Sequence, residues 1–134
     1  MATIQRFEDF DCWKRGRELK KLIYRFTKTK PFSSDFSLID QIRRAAQSVT
    51  SNIAEGHERD GNKEFINFLT ISKGSVAEVK DQLYTALDEN YITQADFDHA
   101  YALAKDTAHL IGGLITYLRR ADYTGLKFKP NPRT

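Results

Sequence analysis

The chain has 134 residues, 40% hydrophobic and 29% charged, with a single cysteine, which is the size and mixture of one globular domain with one core and no disulfide framework. A net charge of +3 permits contact with anions but falls short of a dedicated nucleic-acid arm. The polar lead-in over residues 1–9 lacks a secretory pattern, and the apolar-rich stretch Leu110 to Leu118 is broken by Gly112, Gly113 and Thr116, far below the roughly 20 residues of a spanning helix. A cytoplasmic protein without membrane contact is expected.

Apolar residues recur at spacings of three and four, never at two for long, so nothing reads as a strand. Three stop signals divide the pattern: Lys30-Pro31-Phe32-Ser33-Ser34, Arg59-Asp60-Gly61-Asn62 and Asn90-Tyr91-Ile92-Thr93. The spacing predicts four helices, at about residues 10–30, 35–58, 63–89 and 94–121. Asp9 or Asp11 is the expected cap of the first, Ser34 or Asp35 of the second, Asn62 of the third, and Thr93 with Asp96 forms a capping box for the fourth.

On the first helix Cys12, Gly16, Leu19, Leu22, Ile23 and Phe26 make one apolar stripe. Opposite it, Lys14, Arg17, Lys21, Arg25 and Lys28 follow at steps of three, four, four and three, with Glu18 the one acid between Lys14 and Lys30. Five cations along about 20 Å of helix can follow a phosphate backbone, Arg43 and Arg44 can extend them, and the flanking Trp13 and Tyr24 are available to stack on unpaired bases. The same row also suits an ordinary solvated outer face.

The second helix enters with Phe36 and buries Ile39, Ile42, Ala46, Val49 and Ile53; beside these runs a polar line, Gln41, Arg44, Ser48, Asn52, Glu55 and Arg59. The third places Phe65, Phe68, Leu69, Ser72, Val76, Val79, Leu83 and Leu87 inward, with Gly74 and Ser75 allowing a close backbone approach, and answers the polar line with Glu64, Ser75, Glu78 and Gln82. Arg44, Asn52, Glu55, Arg59, Glu64 and Glu78 are expected to form a structural polar network, because polar groups that lose water need partners. Glu55 and Glu78 could alternatively be paired carboxylates for acid–base chemistry, but no nucleophile and base accompany them.

The fourth helix carries the core stripe Phe97, Ala100, Ala104, Ala108, Ile111, Ile115 and Leu118, and beside it a second apolar line, Leu103, Leu110, Leu114 and Tyr117. Together they exceed the arc a surface helix needs, which predicts self-association through the second line. Gly112-Gly113 falls in mid-helix, where it reads as a close-packing point rather than a phosphate loop. Residues 122–134, with Gly125, Pro130 and Pro132 among basic residues, read as a flexible tail.

Short connections between helices of similar length give an all-α, antiparallel up-down-up-down four-helix bundle over residues 10–121. No metal or cofactor is expected: Asp96-x-x-His99 is half of a bundle di-metal motif, and His99 and His109 point in nearly perpendicular directions. His57 sits at a helix end, where the dipole favours a cation. No catalytic set is legible, and a non-enzymatic protein is expected.

Several segments carry a likeness to a known family. Gln41-Ile42-Arg43-Arg44-Ala45-Ala46-Gln47-Ser48, Asn52-Ile53-Ala54-Glu55-Gly56, Lys63-Glu64-Phe65 and Gly74-Ser75-Val76-Ala77-Glu78, with the Phe10-x-x-Trp13 entry, resemble the bacterial four helix bundle protein family. It is also called the 23S rRNA-intervening-sequence or S23 family, some of whose members are encoded inside insertions of the large-subunit rRNA gene. The likeness spans Phe7 to Arg120. Gly61-Asn62, where a Ser or Thr cap is usual, and Lys73, where a small or apolar residue is commoner, depart from it. The family resembles the accessory protein of diversity-generating retroelements, a basic pentameric bundle that binds nucleic acid and a reverse transcriptase. The resemblance therefore implies a homopentameric ring without established catalytic activity. The partners expected are further copies of this chain, RNA or DNA on the basic first helix, or alternatively an unidentified protein for which the ring is a scaffold.

Overall fold

The computed structural model describes residues 6–123. Four helices occupy Asp11–Thr27 (α1), Phe36–His57 (α2), Asn62–Asp88 (α3) and Gln94–Tyr123 (α4), with single 3-10 turns at Phe7–Asp9 and Phe32–Ser34 and no strand among the described residues. Each helix lies within a few residues of its expected span, and α4 runs on into the stretch assigned to the tail. The rest of that tail, residues 124–134, lies outside the described residues.

Helix starts follow local chemistry only in part. Asp35 caps α2, its Oδ1 accepting the Leu38 amide hydrogen at 3.1 Å, and Thr93 Oγ1 accepts from the Asp96 amide at 3.1 Å at the start of α4. Neither Asp9 nor Asp11 caps α1: Phe10 holds that position in extended backbone without a side-chain bond, and Asp11 is already helical. Asn62 does not cap α3 either. Gly61 stands there at φ 87°, a conformation that favours glycine over Ser or Thr. Asn62 instead is buried and donates from Nδ2 to the Leu118 carbonyl at 3.3 Å, tying the start of α3 to the last turns of α4. At the other end, Tyr91 stacks on Phe32 with ring centroids 5.0 Å apart and donates its hydroxyl to Asp35 Oδ2 at 2.8 Å.

α1 packs against α2 and α4, and α3 packs against the same two, enclosing one core. The α1 stripe is buried throughout, as are Ile42, Ala46, Val49 and Ile53 of α2. Phe36 departs from expectation: it is 79% exposed, because Leu38, two positions into the helix, takes the inward place. The glycines also differ. A Cβ on Gly74 or Gly113 would meet nothing within 4 Å, and one on Gly112 only Lys73 Nζ at 3.7 Å, so these positions serve no close packing within the chain. The close approaches occur at Gly16, where a Cβ would lie 3.0 Å from Val49 Cγ1, and at Gly56, where it would lie 2.7 Å from Phe68 Cβ. Between α2 and α3, the buried Ser72 hydroxyl donates to the Val49 carbonyl at 2.7 Å, satisfying a polar group inside the core.

Cys12 is free and buried, and burial pushes its thiol up to about 12. Because the thiolate is the reactive form, alkylation at pH 8 is expected to be slower by on the order of 1000-fold in the native protein than in urea. Timed labelling followed by mass spectrometry checks this; equal rates would show that Cys12 is accessible.

Candidate nucleic-acid interface

One turn of α1 separates successive members of the basic row, so Lys14, Arg17, Lys21, Arg25 and Lys28 all stand exposed on the crest opposite the buried stripe. None of the five has an ion pair among the described residues, a property they share with the other described lysines; the paired arginines are Arg6, Arg15, Arg44 and Arg59. Glu18 turns toward Arg15, at 3.9 Å, and Arg15 also reaches Asp106 Oδ2 on α4 at 2.9 Å. The one acid of the stretch is thereby drawn to the α4 side of the crest. On the α2 side, Lys20 is half-buried and donates to Thr50 Oγ1 at 3.1 Å and Gln47 Oε1 at 3.3 Å; burial, then the neighbouring Arg17 charge, lowers its pKa.

The flanking groups are already occupied within the protein. The Arg17 guanidinium lies 5.6 Å from the Trp13 ring centroid, and the Phe7 ring meets Trp13 edge-on at 5.4 Å. Arg43 lies 4.4 Å over the Tyr24 ring while its Nε donates to Thr27 Oγ1 at 2.8 Å. Arg43 therefore stitches α2 to α1 beside the row rather than adding a free cation. Arg44 is exposed but bonded to Asp40 Oδ2 at 2.6 Å, on the side of α2 that faces α3. The Arg43 partnership was not legible in the sequence, since it depends on how α1 and α2 are rotated against each other, whereas Arg44 and Asp40 stand four residues apart on one helix.

The six residues read as one polar network separate into three groups. Arg59 bonds Glu55 at 2.9 Å, approaches Glu64 at 4.0 Å and lies over the Phe68 ring, joining the end of α2 to the start of α3. Farther along, Asn52 donates to the Ser48 carbonyl and hydroxyl at 2.8 and 2.9 Å, and the Ser75 and Ser48 hydroxyls are 2.8 Å apart. Arg44 and Glu78 line an open cleft of about 780 Å³ with Phe36, Gln41, Ala45 and Gln82, and Glu78 has no ion pair among the described residues. Gln82 Oε1 is buried there without a hydrogen-bond partner. Glu55 is thus engaged with Arg59 while Glu78 stands in a separate cleft with Arg44, so the two carboxylates do not share one site.

Leu103, Leu110 and Leu114 are half-buried and face α1. Leu103 lines a hollow with Glu18, Lys21, Leu22, Arg25 and His99, and Leu110 and Leu114 line another with Phe10, Cys12 and His109. Their own chain already covers part of this line; Tyr117, 40% exposed, is its open member. His57 packs between the Phe10 and Phe65 rings, at 5.3 and 5.8 Å. Among the described residues no group of three or more His, Cys, Asp or Glu could hold a metal, and no helix is long and apolar enough to cross a membrane.

Four helices around one apolar core, with a row of unpaired cations along the crest of the first, define a small helical-bundle protein with a basic face. The chain belongs to the 23S rRNA-intervening sequence protein family, whose model matches residues 8–113. Its structure is similar to the crystal structure of a protein of unknown function from the S23 ribosomal protein family of Bacteroides thetaiotaomicron. The TM-score is 0.71 over 78% of this chain and 97% of that one, at 22% identity, a likeness of fold. None of the curated proteins matches the chain.

Proposed function

We propose that the protein is a non-catalytic, cytoplasmic homo-oligomer of antiparallel up-down-up-down bundles that binds nucleic acid through the crest of α1. The observation that carries this reading is the one-sided charge of the crest: Lys14, Arg17, Lys21, Arg25 and Lys28 stand exposed in a single row, and Glu18, the one acid of the stretch, is drawn off it toward Arg15. A surface built for solubility alone mixes both signs; this crest carries one. The bonds from Asn62 to Leu118 and from Tyr91 to Asp35 support the antiparallel order. Tyr117, the open member of the second apolar line on α4, supports self-association, with five subunits as the family resemblance suggests, and repetition of the row would multiply weak contacts.

Light scattering for mass, followed by binding to rRNA fragments across a salt series, tests both halves. A mass above one chain is expected, with affinity that falls at least 100-fold between about 50 and 200 mM salt. A monomer, or no binding at the lowest salt, would overturn the corresponding half. The cleft beside Phe36, with its unpartnered Gln82 amide oxygen, supports a second reading as a protein-interaction scaffold. A stoichiometric protein partner that stays bound at high salt is the outcome that would favour it.

A further inference from the structure

The aromatics beside the basic row decide what kind of nucleic acid the row can take. Capture of an unpaired strand needs open ring faces for its bases and a charged groove to follow its backbone. At α1 the two rings beside the row are each partly covered, and the row stands on a crest rather than in a groove. Trp13 is half-buried and packed against the core, with the Arg17 guanidinium over its ring. Tyr24 is half-buried under Arg43, which is held in place by its bond to Thr27 Oγ1. A base could stack on Tyr24 from that side only by displacing a guanidinium and breaking a hydrogen bond across the α1–α2 seam.

The row itself occupies a convex crest. The nearest hollow, between α1 and α4, has Glu18 on its lining beside Lys21 and Arg25, so a backbone settling into it would meet a carboxylate. A stiff line of five cations about 20 Å long suits a partner whose phosphates are already fixed in space. A duplex carries one charge per roughly 1.7 Å of axis, about twelve over that length, whereas an unpaired strand must be ordered against the helix on binding. Arg17 can reach a phosphate while its guanidinium stays over Trp13, because cation–π contact leaves N–H groups at its edge free.

Building on the nucleic-acid reading above, we infer that the crest of α1 takes double-stranded nucleic acid through its phosphates alone and does not capture unpaired bases. Binding is then indifferent to sequence and strongly dependent on salt, with about one unit of log–log slope for each cation engaged.

The test uses the full chain and three labelled probes: a DNA duplex and an RNA duplex of about 20 base pairs, and unpaired oligo-dT of equal length. Anisotropy gives the affinities, and emission from Trp13, the single tryptophan, reports directly on stacking at the row. Both duplexes are expected to bind about tenfold or more tightly than oligo-dT, with no quenching of Trp13 by oligo-dT. If one duplex alone meets that margin, the inference holds for that form only. Oligo-dT binding as tightly as both duplexes overturns the inference and leaves the nucleic-acid reading standing, and quenching would identify Trp13 as the stacking platform. Absence of binding by all three probes at about 50 mM salt overturns both.

Discussion

Charge reversal at Arg17, Lys21 and Arg25 together (R17E, K21E, R25E) is expected to abolish retention of nucleic acid at about 100 mM salt while leaving the helical fold in place. All three side chains are exposed and none has an ion pair among the described residues, so their loss strands no partner. The row changes from five positive charges to two positive and three negative, which replaces attraction to phosphates by repulsion along most of its length. Losing three phosphate contacts removes about 2.7 units from the salt slope, and the affinity loss at moderate salt is about 100-fold or more. The structural cost is small. The introduced glutamates stand four residues apart, which costs about 0.2–0.5 kcal/mol per like-charged pair, and Arg17 gives up its contact with Trp13. Thermal melts followed by circular dichroism, run beside anisotropy binding, separate the two effects. Unchanged binding by a folded triple variant would refute the proposed interface.

Gly56→Ala should destabilise the protein by about 1–3 kcal/mol, although the same substitution in an exposed helix interior stabilises by up to ~1 kcal/mol. The new methyl would sit 2.7 Å from Phe68 Cβ and 2.9 Å from Phe65 Cδ1. Phe68 Cβ is fixed to the α3 backbone and cannot swing away, so the helices themselves must part. Gly74→Ala and Gly113→Ala serve as matched controls. With open space at both positions, each should stabilise by about 0.5–1 kcal/mol. Opposite signs for one chemical change, read from urea melts, would place the α2–α3 contact at Gly56. A stabilising Gly56→Ala would show that the helices do not approach there as closely as the geometry states.

Much of the fold was legible because helices announce themselves locally. The three-and-four spacing of apolar residues, the proline at position 31 and the Asp35 and Thr93 caps depend on neighbours within one or two turns, and all four helices lie where those signals place them. Gly61 shows the limit. A glycine before Asn62 looked like a missing cap, and the reason for it, a φ of 87°, exists only once the chain must turn sharply enough to send Asn62 inward. The polar line on α2 was visible as a line, but not its division. Whether Arg44 reaches across to Glu78 or back to Asp40 is a matter of a few ångströms between helices.

From residue order alone follow the number and extent of the helices, the centre of the stripe each one buries and the crest that carries the cations, since all of these repeat with the turn of a single helix; the margins of the stripes, such as Ile39, Phe68 and Leu87, are half-buried. Interhelical packing determined which glycine touches a neighbour, which arginine remains available and which aromatic faces are covered. Those outcomes depend on the rotation and separation of two helices at once, and residues as far apart in the chain as Arg15 and Asp106, or Asn62 and Leu118, meet only when the whole core has closed.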